Sequence, residues 1–123
     1  MDYRLWINGE WVASADGKTR SIEDPATGNI IGQAAEASAA DVDRAVQAAH
    51  TAFYDGRWSK RTLAERSVAI WKLADLLAAH AEEFARAEST NTGKPYGIVS
   101  LGADMPFGVD NLRFFAAAAR DTH

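Results

Sequence analysis

The hydrophobic period of this chain changes once, at Ser38. Before that residue, short β-favouring runs are separated by turn residues; after it, apolar residues recur at helical spacing almost to the end. Four short strands at the amino end cannot easily cover three amphipathic helices. The helices are therefore expected to pack on a sheet that these residues do not contain.

In "RLWINGEWV" the Asn8-Gly9 pair marks a two-residue hairpin, because both turn positions need positive φ. Strands are expected at about Tyr3 to Ile7 and Glu10 to Val12. Asp16-Gly17 makes a second turn, and Lys18 to Asp24 reads as a third strand. "PATG", Pro25 to Gly28, is a turn in which proline sets φ and glycine closes the bend, and "NIIGQAAE" follows as a short strand.

Ser38 can cap a helix with Asp41 three residues on, and Val42, Ala45, Val46, Ala49 and Phe53 repeat on one face. That helix should stop at Asp55-Gly56. Thr62 and Glu65 form a capping box for a second helix carrying Leu63, Val68, Trp71, Leu73, Leu76, Leu77 and Phe84, expected to reach about Ser89. "NTGKP" ends it, with Gly93 as the left-handed residue and Pro95 preventing continuation. A third helical segment covers roughly Ile98 to Ala119, with Pro106 in its first turn or at a kink. The chain thus divides into amino-terminal strands and hairpin, residues 1–36, and a helical part, residues 37–123.

Composition narrows the function. At 123 residues, 47% hydrophobic and 24% charged, the chain has no disorder signature, and a domain of this length buries roughly two thirds of its unfolded surface. Its formal charge of −4, with Lys and Arg scattered singly except at Ser59 to Arg61, offers nothing to a nucleic acid or an anionic membrane. No apolar run approaches the ~20 residues of a membrane span. The opening "MDYRLWINGEW" lacks the charged and apolar stretches of an export leader, so a cytoplasmic location is expected. There is no cysteine, which removes disulfides, thiolate metal sites and cysteine nucleophiles together.

Catalytic constellations are missing as well. His50, His80 and His123 are far apart and none has metal-ligand spacing; "HAEEF" at His80 is a near miss. Glu82 and Glu83 are adjacent on a helix and point apart, which suits a solvated face better than an acid and base pair. "TGKP" has a Gly-Lys pair without the upstream glycine or the following Ser/Thr of a phosphate loop. The tryptophans and phenylalanines lack the basic interleaving of base stacking, so packing accounts for them.

Taken in order, "INGEWV", "DGKT", "EDPATGNIIG", "ASAADVDRAVQAAHTAF", "WSKRTLAERSVAIWKLADLL", "NTGKP" and "DNLRFFA" closely resemble the amino-terminal part of the NAD(P)-dependent aldehyde dehydrogenase superfamily, over essentially the whole chain. The resemblance implies an α/β fold: short antiparallel strands followed by three helices, without the parallel cofactor-binding sheet. It implies an enzyme, a homo-oligomer, that oxidises an aldehyde to a carboxylate with NAD or NADP through a thiohemiacetal and thioester. The family's cysteine nucleophile, glutamate base, oxyanion-stabilising asparagine and nucleotide sheet lie beyond His123. No catalytic or cofactor-binding residue is carried over, and the lack of cysteine agrees, since a thioester needs a thiolate.

The resemblance further implies that the helix containing "DMPFGVDNLRFF" borders the substrate tunnel, with Ala103, Asp104 and Phe107 at its mouth and Phe107 the foremost candidate for substrate contact. The segments "SIEDP" and "TNTGKP" resemble the pair that holds a structural monovalent cation, through backbone oxygens of Ile22 and Glu23 and the side chain of Asn91, which stands where an acid is common. Asp24 stands where Asn is usual, and Ala117 replaces a frequent glycine. The isolated chain is expected to bind no cofactor and to be inactive. "RDTH" has no C-cap glycine, which favours a truncated segment over a free-standing noncatalytic interaction or oligomerisation module.

Overall fold

Asn8 and Gly9 carry φ of 53° and 86°, the two positive values a tight hairpin turn requires. In this computed structural model, which describes residues 2–121, they join β2 (Leu5–Ile7) to β3 (Glu10–Val12) in antiparallel register, Leu5 opposite Val12 and Trp6 opposite Trp11. The two indole rings face each other with centroids 4.9 Å apart.

The hairpin partner ends at Val12, and the residues before Arg4 pair elsewhere. β1 (Asp2–Tyr3) runs parallel to β5 (Ile30–Ala35), whose other edge takes β4 (Thr19–Glu23) antiparallel. The expected strand Tyr3 to Ile7 is thus divided between two sheets, and one of the pairings is parallel. Gly28, at φ 73°, closes the Pro25–Gly28 turn as expected, and its N–H donates to Asp24 O at 2.8 Å.

The chain forms two compact units. One holds the residues up to Asp24 together with Gly28–Lys60; the other holds Pro25–Thr27 together with the residues from Arg61 onward. The first contains all the strands and α1 (Ala39–Tyr54). Its capping box is complete: the Ser38 hydroxyl accepts from Asp41 N–H while the Asp41 carboxylate accepts from Ser38 N–H.

The second unit is helical. α2 (Leu63–Ala79) starts on the Thr62–Glu65 capping box. The continuous helix expected to Ser89 breaks at His80, φ −112° and ψ 20°, and α3 (Ala81–Thr92) begins anew. Neither glycine nor proline marks the break. Glu82 and Glu83 do suit a helix start, because a helix amino end favours negative charge.

Gly93, at φ 74°, ends α3, and its N–H donates to Ser89 O. The expected third helical segment is in two parts, a π-helix over Tyr96–Asp104 and α4 (Met105–Ala118), with Pro106 in the first turn of α4. Pro95 starts the π-helix, and its carbonyl accepts from both Val99 N–H and Ser100 N–H.

What is buried in this unit is small. Ala74, Ala85, Val109 and Ala116 are its enclosed apolar residues, with Ser67 and Ser100 among them. On α2 the shielded stripe is Leu63, Ser67, Ile70, Ala74 and Leu77, a helical spacing, and α2 packs against α4. Small side chains and Gly108, whose position beside Leu77 leaves 3.8 Å for a Cβ, bring these two helices close.

The larger apolar residues of α2, Val68, Trp71, Leu73 and Leu76, occupy another face and are exposed. Leu63 and Leu77 therefore belong to a different stripe from the rest of the set grouped by sequence. On α1 the expected face is open too, with Val42, Val46 and Phe53 more than half exposed.

Candidate functional site

Lys94 anchors the loop that enters the π-helix. Its ammonium lies 2.9 Å from Glu88 Oε1 on α3 and 3.1 Å from Asp104 Oδ2 at the end of the π-helix. The bond to Glu88, then that to Asp104, raises the Lys94 pKa, so the ammonium keeps its proton throughout the neutral range. Ser89 Oγ donates to Lys94 O at 2.6 Å, and the Arg86 guanidinium sits 4.7 Å over the Tyr96 ring. Four side chains from α3 and the loop thus tie down the amino end of the π-helix.

On this frame Ala103 is exposed, Asp104 is half-buried in its pair with Lys94, and Phe107 is 71% exposed in the first turn of α4. Of the three expected tunnel residues, two are open and one is engaged. From sequence Lys94 reads as part of a helix stop and of a Gly-Lys pair that lacks the rest of a phosphate loop, not as an anchor. The signal for it was a lone cation placed between acids six residues before and ten residues after, across a turn. Further along α4, Arg113 Nη2 donates to Asp75 Oδ1 at 2.7 Å and the guanidinium carbon lies 5.9 Å from the Trp71 ring centroid, fixing α4 against α2.

The residues expected around a cation are placed as follows. Ile22 and Glu23 are on β4, where the register slips so that Ile22 faces Gly32 and Glu23 faces Ile30. Such a bulge disrupts the ladder locally. Asn91 is on α3, its Nδ2 donating to Ala87 O at 2.9 Å, which leaves the amide oxygen as its acceptor end. Within the second unit the turn Pro25–Thr27 lies against the loop: a Cβ on Gly93 would stand 3.1 Å from Pro25 Cγ and 3.3 Å from Ala26 N. Among the described residues no group of three or more His, Cys, Asp or Glu could hold a metal ion.

The first unit has a charged centre of its own. Asp41 is 1% exposed, and its Oδ2 accepts from Ala15 N–H at 3.0 Å, Ser38 N–H at 2.9 Å and the Ser38 hydroxyl at 2.7 Å, while Oδ1 accepts from Arg44 at 2.7 Å. The Ala15 N–H, then the Ser38 donors and Arg44, hold its carboxyl well below the usual range. Every partner is structural. Beside it, open grooves of about 400 Å³ and 410 Å³ run between β2 and α1, both lined by Trp6, Ile7, Ala45 and Ala49. His50 and His80 are surface residues of α1 and of the α2–α3 junction, and His123 lies outside the described residues.

The model of the aldehyde dehydrogenase family matches residues 11–123. This chain belongs to that family. It is 44% identical over 120 residues to aldehyde dehydrogenase family 2 member B4 of Arabidopsis thaliana, a mitochondrial protein, covering 98% of this chain and 22% of that one. To the NADP/NAD-dependent aldehyde dehydrogenase PuuC of Escherichia coli it is 41% identical, covering 96% and 24%.

Among solved structures, the NAD+ complex of a Bacillus cereus aldehyde dehydrogenase superposes with TM-score 0.88 at 41% identity, over 95% of this chain and 24% of that one. The NAD-dependent aldehyde dehydrogenase of Sinorhizobium meliloti superposes at 0.91 and 37% identity, over 100% and 24%. The chain therefore spans about a quarter of the length of these relatives. Its fold is the expected one, α/β with short strands followed by helices, and no sheet closes among the described residues.

Proposed function

We propose that this chain is the amino-terminal segment of an NAD(P)-dependent aldehyde dehydrogenase that oxidises an aldehyde to a carboxylate, and that alone it is inactive. The observation that carries the reading is a match over nearly the whole chain to proteins about four times as long. The absence of cysteine supports the second half, because thioester chemistry needs a thiolate and this chain has none. Bound in the complete enzyme, NAD or NADP would supply the hydride acceptor. No residue of this chain is assigned to hold it.

What this segment contributes is substrate access. Phe107 presents an exposed ring at the start of α4, held by the α2–α4 packing and, through Asp104, by Lys94. An apolar wall of this type selects aldehydes by shape more than by charge. Ala103 and Asp104 complete the proposed mouth. Ile22 and Glu23, through backbone oxygens, and separately Asn91, through its amide oxygen, present oxygen donors of the kind a hard monovalent cation takes. The enzyme is proposed to be a cytoplasmic homo-oligomer.

The test of inactivity mixes the 123-residue chain with NAD or NADP and a panel of aldehydes. No cofactor reduction above background is expected. Reduction would overturn the proposal, and a folded, monodisperse, inactive oligomer would favour a free-standing interaction module instead.

A further inference from the structure

The π-helix between the Lys94 anchor and Phe107 is an unusual element, because such helices are rare and mostly single turns, often beside functional sites. Its defining bonds are present at both ends: Ser100 N–H donates to Pro95 O, and Met105 N–H donates to Ser100 O, each spanning five residues. Its five-residue bonds take in more residues per turn than an α-helix, so a change to α register would rotate everything downstream about the helix axis. Phe107 lies three residues past the end of this segment. The register of the π-helix therefore decides where its ring points.

Gly97 and Gly102, five residues apart, are not equivalent in this geometry. A Cβ on Gly102 would stand 2.9 Å from the Gly97 carbonyl oxygen, closer than side chains tolerate, whereas a Cβ on Gly97 meets nothing within 4 Å. In an α-helix alanine is the most favourable residue. Ser100, fully enclosed with no hydrogen-bond partner for its Oγ, is a further sign that this segment is set by backbone register and not by side-chain bonding.

We propose that Gly102 is a positioning residue for aldehyde specificity: by admitting the backbone oxygen of Gly97 it keeps the wide register that aims Phe107 at the substrate tunnel. This rests on the tunnel reading of Phe107 given above. Gly102 touches no substrate yet selects among substrates.

The test is made in the complete enzyme with Gly102→Ala, Gly97→Ala and Phe107→Ala. Crystal structures should show Gly102→Ala with Met105 N–H bonded to Leu101 O and the Phe107 ring moved, and Gly97→Ala unchanged. Relative kcat/KM for an aromatic aldehyde against acetaldehyde should fall by about tenfold in both Gly102→Ala and Phe107→Ala, the scale of a lost apolar pocket contact. The fall should appear in KM for the aromatic aldehyde, and Gly97→Ala should not show it.

A Gly102→Ala enzyme that keeps the five-residue bonds overturns the role of the glycine, and the Phe107→Ala result then judges the tunnel reading separately. A changed register with an unchanged substrate profile in both variants overturns the tunnel reading, and the specificity role with it. Failure of Gly102→Ala to fold also contradicts the proposal, since the α register offers alanine an unobstructed place.

Discussion

Asp41 shows what one residue contributes here. Its capping role was legible, because a serine followed three residues later by an acid before an apolar run announces a helix start. Its reach back to Ala15 N–H and the Ser14 hydroxyl was not, since a contact across 26 or 27 residues leaves no local pattern. Nearby, Asp16 is drawn down to about 2, chiefly by the Lys18 ammonium and then by the Ser14 hydroxyl. A carboxyl whose folded pKa is depressed stabilises the fold fully above its unfolded value near 4, and loses that contribution as pH falls toward the folded value. Thermal midpoints of the chain should therefore drop between about pH 4 and pH 2. Asp41→Asn should lower the midpoint at neutral pH and flatten that acid dependence; an unchanged midpoint would mean that the Ala15 and Ser38 bonds do not hold the unit together.

At the level of elements, the starts were easier to read than the ends. Ser38 and Thr62 announce their helices through side chains that bond within one turn. The break at His80 and the π-helix were hidden, because neither depends on a residue that forbids a helix; the acids after His80 and the glycines at 97 and 102 are weak signals that only packing makes decisive. Thr62→Ala should cost about 1 kcal/mol, the usual worth of an N-cap, seen as a lower urea midpoint with unchanged m. Gly93→Ala should cost about 1–3 kcal/mol, since alanine resists positive φ and its Cβ would also press on Pro25 Cγ at 3.1 Å. Equal midpoints for Gly93→Ala and the parent would show that the left-handed turn is not required.

Across the whole molecule, the large hydrophobic residues lie mostly outside the interior. Buried are Ala74, Ala85, Ala116 and Val109 with the polar Ser14, Asp41, Ser67 and Ser100, while Trp6, Trp11, Trp71, Leu76, Phe114 and Phe115 are each about half exposed or more. Sequence periodicity marked the apolar face of α1 but merged two stripes on α2, and it could not say which would be covered by this chain, because periodicity reports a face and not its partner. The candidate site followed the same rule: Phe107 was found by resemblance, while Lys94 and Gly102 needed coordinates. With such surface open, the isolated chain should bind ANS and associate at micromolar concentration, as proteins with large apolar patches do.

The most direct measurement is hydroxyl-radical footprinting of Trp71, Leu76 and Phe115 in the isolated chain and in the complete enzyme. Labelling of all three in the chain, with strong protection in the enzyme, is the predicted result. Protection of all three within a monomer of the isolated chain would contradict it.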